Sequence, residues 1–186
     1  MDQGGTGGAV AVGGMNGTTG GTSSGTSGSD NGGSNAGAGG APGVCVPDAT
    51  CSCEVFQGHD YRFCGVLATR AVGLTACQSA NMVLIRVDSA EENAWLLQQF
   101  IDHDMFIGNG GQPIVILGGN DLQVEGQWRW DDGTLFWDGG PVANLYSNFG
   151  NAPKIGQADC ASMMADGKWG DRSCTSGDAT VACESP

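Results

Sequence analysis

Gly126-Gln127-Trp128-Arg129-Trp130-Asp131-Asp132-Gly133 alternates large apolar with polar side chains and then stops at an Asp-Asp-Gly turn, the pattern of a short strand with one buried face. Upstream, Ile114 to Leu117 is an apolar strand that Gly118-Gly119-Asn120-Asp121 is expected to break. Downstream, Gly139 to Asp159 is rich in Gly, Pro and Asn with scattered aromatics, a long loop of the kind that carries binding. Cys160 to Met164, Lys168-Trp169 and Thr180 to Cys183 follow as short closing strands. Before this β-rich half, Met82 to Val87 suits a strand. Ser89, with Glu92 three residues on, forms a capping box ahead of Ala94, Trp95, Leu96, Leu97, Phe100 and Ile101, which predicts a helix over about Ala90 to Asp102. Thr69 to Ala80 also has helical character, weakened by Gly73, and Gly108 to Gly111 reads as a loop.

Composition bounds the rest. The chain has 186 residues and 34 Gly, of which 17 lie between Met1 and Gly43. That tract has no Lys, no Arg and no aromatic residue. It offers too little apolar surface to offset the entropy of ordering, and reads as a disordered Gly/Ser/Thr-rich stalk or linker. Residues 44–186 fit one domain. No run approaches the roughly eighteen apolar residues of a membrane-spanning helix, and no signal peptide is visible, so export would need a leader outside the chain as numbered. A net charge of −13 with only 7 Lys and Arg argues against a nucleic-acid ligand. Eight cysteines, all from Cys45 to Cys183, predict four disulfides and an oxidising compartment, extracellular or at the cell surface. A zinc site is disfavoured because only Cys51 and Cys53 are close neighbours, at Cys-x-Cys spacing and without a second close pair.

Ser89 to Leu96, Ile116-Leu117-Gly118-Gly119-Asn120-Asp121, the Gly126 to Gly133 segment, Asp159-Cys160, Gly167 to Cys174 and Ala182-Cys183-Glu184 together resemble the C-type lectin-like domain in its long form, over about Cys53 to Glu184. The resemblance implies an α+β fold of two helices and short antiparallel strands with a long loop. It also implies Cys77–Cys183, Cys160–Cys174 and Cys53–Cys64 disulfides, which leaves Cys45 and Cys51 for each other.

Family members that hold sugar through calcium use a Glu-Pro-Asn or Gln-Pro-Asp triplet, a later Glu and a Trp-Asn-Asp triplet, because a hard cation takes six to eight oxygens. The matching positions here are Ala152-Pro153-Lys154, Ala158 and Trp169-Gly170-Asp171. Only Asp171 survives of five ligands, so no metal or other cofactor is expected at the sugar site. A structural calcium elsewhere lacks support. Asp131, Asp132 and Asp138 read as turn chemistry, and Ser89, Glu91 and Glu184, which resemble a secondary calcium site, are incomplete at Trp95.

Four of the five Trp lie where the family buries aromatics, with Trp137 left as the candidate sugar platform. His59 and His103 read as solvated bystanders, and no nucleophile elbow, phosphate loop or metalloprotease motif is present, so no catalysis is expected. The expected function is non-catalytic recognition of a glycan or protein through Asn148, Asn151, Lys154, Gln157 and Asp171, without calcium bridging. The alternative is an adhesive or structural protein-interaction domain with no sugar binding.

Overall fold

The computed structural model describes residues 45–107, 114–156 and 158–186. The amino-terminal tract, the Gly108 to Gly111 loop and Gln157 lie outside the described residues. The chain folds as β1 (Cys51–Phe56), β2 (His59–Ala68), α1 (Arg70–Ser79), β3 (Val83–Leu84), α2 (Ala90–Asp102), β4 (Ile114–Asn120), β5 (Gln127–Arg129), β6 (Leu135–Asp138), β7 (Cys160–Met164), β8 (Trp169–Arg172) and β9 (Ala179–Glu184). This is an α+β arrangement around one sheet in the order β1-β2-β9-β4-β5-β6, with β3 on β9 and β7-β8 branching from β4. Most pairs are antiparallel, but β4 and β9 run parallel through Val115↔Thr180 and Ile116↔Val181.

Period-2 alternation sorts the sheet's side chains to two faces. Ile114 and Ile116 of β4, with Val181 and Cys183 of β9, pack with Cys77, Met82 and Leu84 beneath α1. Their strand neighbours Val115, Leu117 and Ala182 join the larger core of Phe63, Leu96, Phe100, Trp128, Trp130, Phe136 and Trp169. Gly73, which weakens α1 as an isolated helix, is required by that packing. A Cβ there would meet Val181 side-chain carbons at 2.8 and 3.1 Å.

The cap of α2 works differently from a simple capping box. Ser89 Oγ accepts from the Glu92 amide at 3.0 Å, but Glu92 reaches past Ser89, accepting from the Asp88 amide and the Tyr61 hydroxyl, both at 2.7 Å. Burial and Glu92 push the Tyr61 hydroxyl far above its ordinary pKa.

Cys77 is bonded to Cys183 and Cys160 to Cys174. The two amino-terminal pairings expected from sequence are wrong. The bonds are Cys45–Cys53 and Cys51–Cys64. Register is the reason. The two-residue turn Gln57-Gly58, both at positive φ, sets Phe56 opposite His59 and hence Cys51 opposite Cys64, whereas Cys53 faces Arg62. Cys53 therefore turns to Cys45, outside the hairpin.

Candidate functional site

From Gly139 to Asp159 the described backbone forms no strand or helix beyond two isolated bridges, Trp137↔Pro141 and Phe149↔Trp169. Aromatic packing holds this long loop down. Phe149 lies edge-on to Trp128, Trp137 and Trp169 at centroid distances of 5.2 to 5.8 Å and stacks with Phe136 at 6.2 Å. Backbone bonds from Trp169 N–H to Asn148 O and from Gly150 N–H to Trp169 O, each 2.9 Å, close the joint. The Asn148 side chain is engaged at both ends, donating to Gly167 O and accepting from Lys168 Nζ at 2.8 Å each. Asn148 thus staples the loop's base rather than offering a free amide.

The loop tip is held by carboxylates from two other segments. Asp171 accepts from the Lys154 backbone N–H at 2.9 Å, and Glu125 accepts from the Gly156 N–H at 2.8 Å. Between these anchors Ile155 is 83% exposed. Asn151 and Lys154 are exposed and Asp171 is half-buried, so these three expected residues share the loop-tip region.

The residues at the sugar-bridging position do not fit a cation. Ala152, Ala158 and Gly170 carry no ligand atom, Lys154 is cationic, and Asp171 is already a backbone acceptor. A second group, which the sequence did not single out, brings three carboxylates together. One oxygen from each of Asp121, Glu125 and Asp159 lies within 4.8 Å of the others. Asp121, 4% exposed, accepts from the Gly126 N–H through Oδ2 at 2.9 Å, while its buried Oδ1 and that of Asp159 find no donor among the described residues. Burial raises the Asp121 carboxyl above its ordinary pKa against the Gly126 amide, and Glu125 and Asp159 add to the rise. The Oδ1 atoms of Asp121 and Asp159 lack donors, and a hard, oxygen-seeking cation such as calcium takes acceptor oxygens of this kind. The β4–β7 register makes the group, since Asn120 faces Cys160 and so places Asp121 beside Asp159. The available signal was Asp121 and Glu125, four apart and ahead of Gly126, with Asp159 before Cys160.

The remaining expected residues sort by packing. Trp128, Trp130 and Trp169 are buried, and Trp169 Nε1 donates to Asn93 Oδ1 at 2.7 Å. Trp137 is half-buried against Phe149, and Trp95 stacks on Phe56 at 4.6 Å. His59 is exposed, but His103 is no bystander. It stacks on Phe63 at 5.1 Å, and its Nδ1 lies 3.0 Å from Ser52 Oγ. Asp132 caps its own turn by accepting from the Thr134 N–H at 2.8 Å, and Asp131 pairs with Arg70. Glu184 accepts from the Arg86 N–H at 3.0 Å. Burial, reinforced by Glu92 and Asp88, pushes its carboxyl up to about 9.

The family model for the Lectin C-type domain matches residues 69–185. Among curated proteins, the CD209 antigen of Papio hamadryas is 32% identical over 119 residues, which are 64% of this chain and 30% of that protein. The chain therefore spans less than a third of the length of this relative. Among solved structures, the cow C-type carbohydrate-recognition domain of CD23, determined in the presence of GlcNAc2Man3 oligosaccharide, is 25% identical with a TM-score of 0.57, over 75% of this chain and 95% of that one. A calcium-independent type II antifreeze protein shares the fold at 22% identity and a TM-score of 0.55, over 75% of this chain and 93% of that one. No helix among the described residues is long and apolar enough to cross a membrane.

Proposed function

The chain belongs to the C-type lectin domain family, and from that premise we propose that it is a non-catalytic extracellular recognition module whose long-loop tip contacts a glycan directly, without a bridging ion. The contact between Asp171 and the Lys154 N–H carries this reading, because the one carboxylate left at the sugar-bridging position anchors backbone instead of metal. Asn151, Lys154 and the free oxygen of Asp171 then supply amide, ammonium and carboxylate groups that match sugar hydroxyls as donors and acceptors. Gln157 is a candidate by sequence position alone, and Asn148 supports the loop from its base. A calcium ion held by Asp121, Glu125 and Asp159 would neutralise three clustered carboxylates and, through Glu125, brace Gly156. Its part is structural. Four disulfides suit an oxidising exterior.

A glycan array run with calcium and again with chelator tests the proposal. Saccharide signals that survive chelation and fall with Lys154→Ala or Asp171→Ala are expected, and signals abolished by chelation or indifferent to both variants sink it. A protein ligand is the second reading, favoured by Ile155, an apolar side chain 83% exposed at the loop tip. That reading predicts no saccharide response and loss of partner capture with Ile155→Ser.

A further inference from the structure

Away from the loop tip, the β4–β5 connection and the Trp130 to Gly133 turn enclose a cleft of about 210 Å3 lined by Arg70, Asn120, Gln123, Gln127, Arg129 and Asp131, with Trp130 beside them. Its charges are unusual for this chain. Four of the five arginines have a carboxylate partner: Arg62 with Asp48, Arg70 with Asp131, Arg86 with Asp88 and Asp132, and Arg172 with Asp178. Arg129 has none among the described residues, although the protein carries 20 Asp and Glu. Its guanidinium instead donates to two neutral oxygens, Gly133 O at 3.0 Å and Gln127 Oε1 at 3.2 Å, leaving part of its five-donor fork uncommitted. Arg70, 8% exposed, lines the same cleft and keeps a buried Nε without an acceptor among the described residues. Two guanidiniums thus face one carboxylate, and amides that both donate and accept surround them. The volume is below the roughly 300 to 1,000 Å3 of sites for drug-sized ligands, so it suits one small unit.

We propose that this cleft is a second ligand site, taking one acidic sugar unit whose carboxylate or sulfate is gripped by Arg129 while its hydroxyls meet Asn120, Gln123 and Gln127. An arginine fork matches either anion through paired hydrogen bonds.

The test is an amide NMR titration of the 15N-labelled full chain with glucuronate, glucose 6-sulfate and glucose. Either acidic sugar shifts the Gln123, Gln127, Arg129 and Gly133 signals, the stronger response identifying the preferred anion, and glucose leaves them in place. Arg129→Gln weakens that response by at least about tenfold. Arg129→Lys, which keeps charge but loses the fork, gives a smaller loss and puts the same question if the Gln variant fails to fold. Lys154→Ala leaves the titration unchanged, which separates this site from the loop-tip surface. The proposal is overturned if glucose shifts the same signals as far, if none of the three sugars moves them, or if both Arg129 variants titrate like the parent.

Discussion

Substituting Asp121 by Asn should reverse its effect on stability depending on whether calcium is present. With three carboxylates and no fourth acidic group in the cluster, the affinity expected is that of weak extracellular calcium modules, a Kd of about 10⁻⁴ to 10⁻³ M. At 10 mM calcium the parent would then gain about 1.4 to 2.7 kcal/mol by mass action, or about 3 to 11 °C in Tm for a domain of this size. Without the ion the sign changes. The buried Asp121 carboxyl is raised, so its neutral form is favoured by folding. The stability it contributes is fully present below the unfolded carboxylate pKa and is lost as pH rises through the folded value. In chelator at pH 7.5, Asp121→Asn removes that strained charge while its side-chain oxygen can still accept from Gly126, so it should melt at or above the parent. In calcium it should melt below. Scanning calorimetry of both proteins, with 10 mM calcium and with chelator, reads all four values. A parent Tm that moves by less than about 1 °C with calcium, or a variant that gains as much from calcium as the parent, rules out calcium at Asp121.

Glu184→Gln should match the parent near pH 4.5 and exceed it by about 3 kcal/mol at pH 7, because a carboxyl raised to about 9 is progressively penalised in the folded state as pH climbs from its unfolded value. Urea midpoints at the two pH values check this, and an equal gap at both would contradict it. Gly119→Ala should cost about 1 to 3 kcal/mol, since the new Cβ would lie 2.9 Å from Phe136 Cζ and 3.2 Å from the Ala161 Cβ in a filled core. A urea midpoint unchanged from the parent would show that the core yields there. Asp171→Ala should speed tryptic cleavage after Lys154 several-fold with little change in Tm, because it frees the Lys154 N–H without touching the core. Mass spectrometry of timed digests measures it, and an unchanged rate would mean Glu125 alone holds the tip.

Local chemistry was legible in the sequence wherever it was self-contained. Ser89 and Glu92 mark the start of α2, whose span of Ala90–Asp102 is the one the spacing predicts, and the apolar Cys160 to Met164 run is β7. What escaped depends on partners distant in sequence. Gly118-Gly119 looked like a break, yet β4 runs through it. The Gly118 N–H donates to Ile85 O at 2.8 Å, and Gly119 passes against Phe136, so these glycines permit close approach inside a strand. Conversely, the Met82 to Val87 run is largely buried, but only Val83 and Leu84 pair with β9. Burial without pairing reads the same as a strand in a hydrophobic pattern. The cysteine exchange in the hairpin and the Asp121–Asp159 neighbourhood are both consequences of register, a property of two strands together.

The distribution of cations ties the two proposed sites to one physical constraint. A chain of −13 net charge has only 7 Lys and Arg to set against 20 acidic groups. Arg62, Arg70, Arg86 and Arg172 each take an internal carboxylate, and Lys168 is bonded to the Asn148 amide oxygen at the loop's base. Among the described residues three cations have no carboxylate partner: Lys168 at the loop's base, Lys154 at the loop tip and Arg129 in the β4–β5 cleft. An acidic surface repels anionic ligands at long range, so an anionic ligand gains a foothold only where such a cation meets shape and hydrogen-bonding groups at short range. The cleft supplies these through Asn120, Gln123 and Gln127, whereas the tip sets Lys154 with Asn151 and Asp171 for neutral hydroxyls. For the cleft, whose ligand must carry an anion, rising salt should weaken binding by screening the Arg129 contact. The tip, recognising neutral hydroxyls, should respond far less, and that contrast distinguishes the two modes of contact on the same domain.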